Sequence, residues 1–102
     1  MKLVPLSEIA DEYLFWPGAT FRRAGVGMNG VPPERDFYDY MLVSLAFDNE
    51  PMVVVNVTIG NMKAGHTICS VDRASINGNC VDAQTIRQAI GDDKIHYIEQ
   101  YP

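Results

Sequence analysis

Positive charge is in short supply in this 102-residue sequence, where eight Lys and Arg face thirteen Asp and Glu to leave a formal net charge of −5. Direct nucleic-acid binding is thereby disfavoured, because neutralising phosphates needs a surplus of Lys and Arg on one face. Cysteine is limited to Cys69 and Cys80, neither of them in a CxxC pair. With no export signal, both are expected as reduced thiols. The opening Met1-Lys2-Leu3-Val4-Pro5 carries one base and meets proline early, without the apolar core of about 7–15 residues that a signal peptide requires. Long hydrophobic runs are missing too. The longest, around residues 52–55, is interrupted by Asn56, well short of the roughly 18 apolar residues that cross a bilayer. A soluble, cytoplasmic chain with no membrane partner is the expectation. Histidine is confined to His66 and His96 without HxxxH, HExxH or Cys/His spacing, so neither zinc nor any other cofactor is expected.

What the chain does contain is enough apolar material to fold. At 47% hydrophobic and 21% charged residues, it has the balance of an ordinary globular protein and not of a disordered one. Its length predicts one domain over residues 1–102, too small for a full dinucleotide-binding domain or a barrel.

Pro5 suits a first helical turn, and Leu6, Ile9, Ala10 and Tyr13 recur at helical spacing, predicting a short helix over residues 5–12. Trp16-Pro17-Gly18 must turn, since proline restricts its predecessor and glycine frees its own backbone. Residues 19–24 read as a short strand, and the Gly- and Pro-rich residues 25–33 as a loop. From 37 to 47 the alternation predicts a strand with Met41, Val43 and Leu45 facing the core and Tyr38 and Tyr40 facing away. After a turn over residues 48–51, a second strand over 52–59 places Val53, Val55 and Val57 inward and Asn56 and Thr58 outward, which makes an antiparallel hairpin. A third strand is expected over 67–71, then a turn at Asn77-Gly78-Asn79. Asp82 reads as the N-cap of a second helix with a Val81/Ile86 staple, a stripe of Ala83, Ile86, Ala89 and Ile90, and a stop at Gly91. A last strand spans 94–100. The sum is an α+β domain, a mostly antiparallel sheet of four to five strands with two short helices packed on one face.

Few residues group into recognisable chemistry. Gly25-Val26-Gly27-Met28-Asn29-Gly30 matches GxGxxG, but Val31-Pro32-Pro33 follows at once, where a phosphate site needs its third glycine to open a helix. Cys69 with His66 or His96 meets the residue types of nucleophilic catalysis, yet nothing in the spacing selects a base with its orienting partner. No enzymatic activity is expected. Arg22-Arg23 can grip a carboxylate or phosphate bidentately, although neighbours on a strand point to opposite faces. Trp16 has two readings: it plugs the core with Phe15 and Phe21, or it anchors a contact, as tryptophan does at interfaces.

The acidic excess is local. Residues 34–50 hold Glu34, Asp36, Asp39, Asp48 and Glu50 against Arg35 alone, which is four of the five net negative charges. Phe37, Tyr38 and Tyr40 are interleaved with them. A merely solvated face more often mixes Lys with Glu than single-sign charge with tyrosines, so a solvated face and an acidic, aromatic binding surface both stand as readings. Acids would steer a basic partner inward, and aromatic rings would supply desolvated area. Asp36, Tyr38, Asp39, Tyr40, Asp48 and Glu50 are the expected partner-binding residues.

Small size, acidity, an α+β layout and the Phe15-Trp16-Pro17-Gly18 turn followed by Phe21 together resemble the immunity proteins of bacterial contact-dependent inhibition and polymorphic toxin systems. That resemblance implies stoichiometric neutralisation of a cognate toxin domain, often a basic nuclease plugged by acids that imitate phosphates. It implies no catalytic residues. The alternative reading is a small-ligand-binding domain or small enzyme with a pocket near Trp16, His66 and Cys69.

Overall fold

The computed structural model describes residues 2–23, 37–44, 51–58, 64–74, 78–91 and 95–100. Along the chain run β1 (Lys2–Pro5), a 3-10 turn (Leu6–Glu8), β2 (Leu14–Phe15), β3 (Thr20–Arg23), β4 (Tyr38–Val43) and β5 (Met52–Asn56). They are followed by β6 (Thr67–Val71), β7 (Val81–Asp82), α1 (Ala83–Ile90) and β8 (Ile95–Gln100). Six strands form one sheet in the order β1-β8-β3-β4-β5-β6, while β2 and β7 pair separately. All of these pairings are antiparallel, so the protein is α+β with a mostly antiparallel sheet. The expected count of four to five strands is exceeded, and the two expected helices become one α-helix and a three-residue turn.

The missing helix has a tertiary cause. Lys2–Pro5 pair with β8, Pro5 opposite His96, so the chain is extended where helical spacing predicts a first turn. Helical geometry lasts only from Leu6 to Glu8 before Ile9 returns to φ −89°, ψ 136°. Strand pairing with a segment over ninety residues away outweighs local propensity.

Elsewhere local signals hold. The helix begins after Asp82 and ends at Gly91 in the left-handed conformation, φ 65°, which glycine adopts without a Cβ penalty. Asp82 makes no side-chain bond to the helix backbone; its carboxylate instead accepts from the Thr85 hydroxyl. The first helical N–H groups are satisfied from another segment, Ala83 donating to the Tyr13 carbonyl at 2.8 Å and Gln84 to that of Asp11 at 3.1 Å. Of the expected stripe, Ala83 and Ile86 are buried and Ile90 is partly so, but Ala89 is exposed.

The core lies on the sheet face covered by α1, the 3-10 turn and the β2–β7 pair, and contains Leu6, Phe15, Phe21, Leu42, Val54, Ile86 and Ile95. On β4 and β5 the faces are the reverse of those expected. Tyr40 and Leu42 are buried and Met41 and Val43 only half-buried, while Met52, Val54 and Asn56 are buried and Val53, Val55 and Val57 half-buried. Because Tyr40 stands opposite Asn56 and Leu42 opposite Val54, both strands invert together. Apolar residues occupy both faces of this hairpin, so alternation alone leaves the inward face undetermined. Asn56 tolerates burial because its side-chain oxygen accepts the Thr58 N–H at 3.0 Å, and an unpaired amide there would cost about 1–3 kcal/mol.

Arg87 ties the N-terminal segment to α1. Its guanidinium donates to the carbonyls of Leu6 and Ile9 at 3.0 and 2.8 Å and pairs with the Asp11 carboxylate. Arg87→Met keeps the stem but removes these bonds, and should lower unfolding free energy by about 2 kcal/mol, the value of charge-assisted bonds to otherwise satisfied groups. Chemical denaturation measures the loss, and faster hydrogen exchange at the Ile9 N–H, which donates to Leu6, should accompany it.

Candidate partner-binding surface

Of the six expected site residues, the structure describes Tyr38, Asp39 and Tyr40. Asp36, Asp48 and Glu50 lie outside the described residues, as do Gly25–Gly30 of the GxGxxG match. Tyr38 is half-buried and packs against the core. Asp39 and Tyr40 are corrections to the sequence reading, being only 6% and 9% exposed. Tyr40 belongs to the core cluster.

Asp39 is held by Arg22, which stands directly opposite it across the β3–β4 pairing. Arg22 donates from Nε to Asp39 Oδ1 at 2.7 Å and from Nη2 to Oδ2 at 3.0 Å, the bidentate fork that matches guanidinium to carboxylate. The guanidinium carbon also sits 3.9 Å from the centre of the Phe37 ring, a cation–π contact. Thus Arg22 does grip a carboxylate, but one of its own chain. The Asp39 N–H donates to the Thr58 hydroxyl at 2.7 Å.

A different acidic and aromatic stretch is exposed. Trp16 is 50% and Tyr13 47% exposed, so the contact-anchor reading of Trp16 fits its placement and the core-plug reading does not. Glu8, Asp11 and Glu12, on the same stretch, are exposed as well. The segment is positioned by the Arg87 bonds, by Ala83 and Gln84 donating to the carbonyls of Tyr13 and Asp11, and by the turn in which Ala19 N–H bonds the Trp16 carbonyl at 3.0 Å. Gly18 adopts φ 95° there, and its N–H donates to the Leu42 carbonyl at 2.8 Å. The sequence signal for this surface was the four-residue run Tyr13-Leu14-Phe15-Trp16: a strand cannot send all four inward, and Phe15 takes the core position.

Beneath Tyr13 lies an aromatic cluster. Phe15 and Tyr97 have centroids 4.9 Å apart at 62°, Phe15 and Phe21 5.1 Å at 80°, and Tyr13 and Tyr97 6.3 Å at 53°. Edge-to-face geometry of this kind adds about 0.5–1.5 kcal/mol per pair beyond area burial. Burial pushes the Tyr97 phenol above its ordinary value, and Tyr13, which shares a hydrogen bond with it, and Glu99 push the same way.

Trp16, His66 and Cys69, the residues of the alternative pocket, line neither of the two cavities given below. His66 is exposed ahead of β6, and Cys69 is half-buried on β6, its thiol pushed up by burial. Two cavities are lined by other residues. One, of about 520 Å³, is bordered by Thr20, Met41, Val57 and Ile98; the other, of about 310 Å³, by Val4, Ile9, Tyr13, Tyr97 and Glu99. Cys69 and Cys80 are not joined in a disulfide. Among the described residues no three His, Cys, Asp or Glu stand together as a metal site, and no helix is long and apolar enough to cross a membrane. No family model, curated protein or solved structure matches the chain.

Two measurements check this geometry. Asp39→Ala should lower unfolding free energy by about 2–4 kcal/mol by stranding the Arg22 charge, and the double variant Arg22→Met/Asp39→Leu should recover most of the loss, since an apolar pair can replace a buried ion pair. Urea denaturation reads both. For Tyr97 the folded-state value is raised, so the phenol's contribution is complete below the ordinary tyrosine value of about 10 and is lost as pH climbs through the folded value, because the unfolded chain ionises first. Unfolding free energy should therefore fall on the alkaline side, and Tyr97→Phe should flatten that fall.

Proposed function

We propose that the protein is an immunity-type inhibitor that binds a basic toxin domain, of nuclease class, one to one. The observation that carries this reading is the exposure of Trp16 and Tyr13 on a segment that also exposes Glu8, Asp11 and Glu12. Large exposed aromatics are the residues that most often dominate binding energy, and the surrounding acids select a basic partner and speed its approach. The overall charge of −5 acts in the same sense. Its concentration in residues 34–50 supplies long-range steering, with Asp36, Asp48 and Glu50 as its carriers, whereas Asp39 is neutralised by Arg22. Inhibition of this kind needs no catalytic group: occupying a cationic cleft excludes the phosphates that would otherwise enter it.

The test looks beside this chain's gene for a large secreted protein with a basic C-terminal domain and takes that domain as the binding partner. Calorimetry should give a one-to-one complex in which Trp16→Ala weakens affinity by about a hundredfold, the scale of a central interface anchor. Replacing Asp36, Asp48 and Glu50 by Lys should slow association and reduce its salt dependence more than it changes dissociation. Absence of any complex, or a gene neighbourhood made up of metabolic enzymes, would overturn the reading.

A further inference from the structure

The smaller cavity lies against the exposed segment and shares Tyr13 with it, and its chemistry is more specific than that of a general contact surface. We propose that it is a socket for a lysine side chain of the bound partner. The proposal rests on the reading above in taking the partner to be a basic protein.

Lysine combines an aliphatic stem with a compact ammonium head, and the cavity supplies a complement to each. Val4, Ile9 and Ala10 form its apolar wall. Tyr13 and Tyr97 stand with ring centroids 6.3 Å apart and planes inclined at 53°, and their negative ring faces attract a cation held within about 6 Å. Glu99 closes the rim with a carboxylate. That carboxylate already receives an ammonium from its own chain: Lys2 Nζ lies 3.3 Å from Glu99 Oε1, with both side chains largely in solvent. A pair so exposed holds weakly and exchanges at little cost, so the Lys2 contact shows the approach that a partner's lysine would take. The tyrosines are firmly set, because Tyr97 packs on Phe15 and Phe21 and Tyr13 packs edge-on against Phe15. Little ordering is left to be done on binding, and preorganisation of this sort is what turns weak contacts into affinity.

The full chain, labelled with ¹⁵N and ¹³C, can be titrated by NMR with Nα-acetyl-lysine methylamide and, in parallel, with the same compound acetylated at Nε. The charged probe should produce saturable shifts centred on Tyr13, Tyr97 and Glu99, and the neutral one should bind about tenfold more weakly, the combined scale of a cation–π contact and an exposed ion pair. Glu99→Gln should impose a similar loss on the charged probe. The proposal is overturned by equal binding of the two probes, by shifts centred elsewhere, or by no saturable shift at all. A toxin complex whose affinity Glu99→Gln leaves unchanged would also sink the socket while the inhibitory reading stands. Selective binding of the lysine probe without any toxin complex would uphold the socket and remove that reading.

Discussion

The two faces of the sheet are assigned by a single pair of charges. Arg22 and Asp39 stand opposite each other on neighbouring strands and meet through two hydrogen bonds, so both side chains project to the same side. Neither charge can enter the core without great desolvation cost, and this sends the whole odd-numbered set of β4, with Asp39, Met41 and Val43, to the face away from α1. Pairing in register then commits Val53, Val55 and Val57 to that face, and leaves Leu42, Met52 and Val54 for the core. A slip of one residue would invert every side chain and separate the fork from its carboxylate. The ion pair thus acts more as a device for register than as a source of net stability.

Much of the fold was legible where a local rule had no competitor. The strands at Thr20–Arg23 and Thr67–Val71, the helix between Asp82 and Gly91, and the last strand all follow from alternation, capping and glycine chemistry. Those rules failed where distant pairing decided. The strand Lys2–Pro5 exists because β8 returns beside it, and β2 and β7 are two-residue strands whose pairing joins the start of the chain to the start of α1. No window of sequence contains both halves of such a pairing. The inverted hairpin is the same problem on a smaller scale: a run of valines looks alike from either side, and only the position of one buried charge breaks the tie.

Of the candidate site, the residue chemistry was legible in sequence and the burial of Asp39 and Tyr40 was not. Acidic residues interleaved with tyrosines were sought on β4, where Asp39 and Tyr40 prove to serve the fold. Arg22 was visible as a carboxylate-gripping side chain, and the carboxylate it grips is one of those assigned to the partner. Seventeen positions separate them in sequence, which hides the pairing from any local reading. The same combination of acids and aromatics recurs nearer the N-terminus, at Glu8, Asp11, Glu12, Tyr13 and Trp16, within a stretch where Lys2, Arg22 and Arg23 balance the three acids in number. In the folded chain Arg22 is spent on Asp39, Lys2 meets Glu99 and Arg87 meets Asp11, so Glu8 and Glu12 carry the exposed negative charge of this segment.

The outer strands of the six-stranded sheet, β1 and β6, are each joined to their neighbours with a shift in register, between Lys2 and Leu3 on one side and opposite Val54 and Val55 on the other. Such irregularities twist a strand out of the flat, evenly spaced ladder that a further chain could extend, and Pro5 removes one amide donor from β1 altogether. A sheet this rich in valine would otherwise offer two templates for fibrillar growth. Borders of this kind keep the described strands from serving as a template for a second copy of the chain.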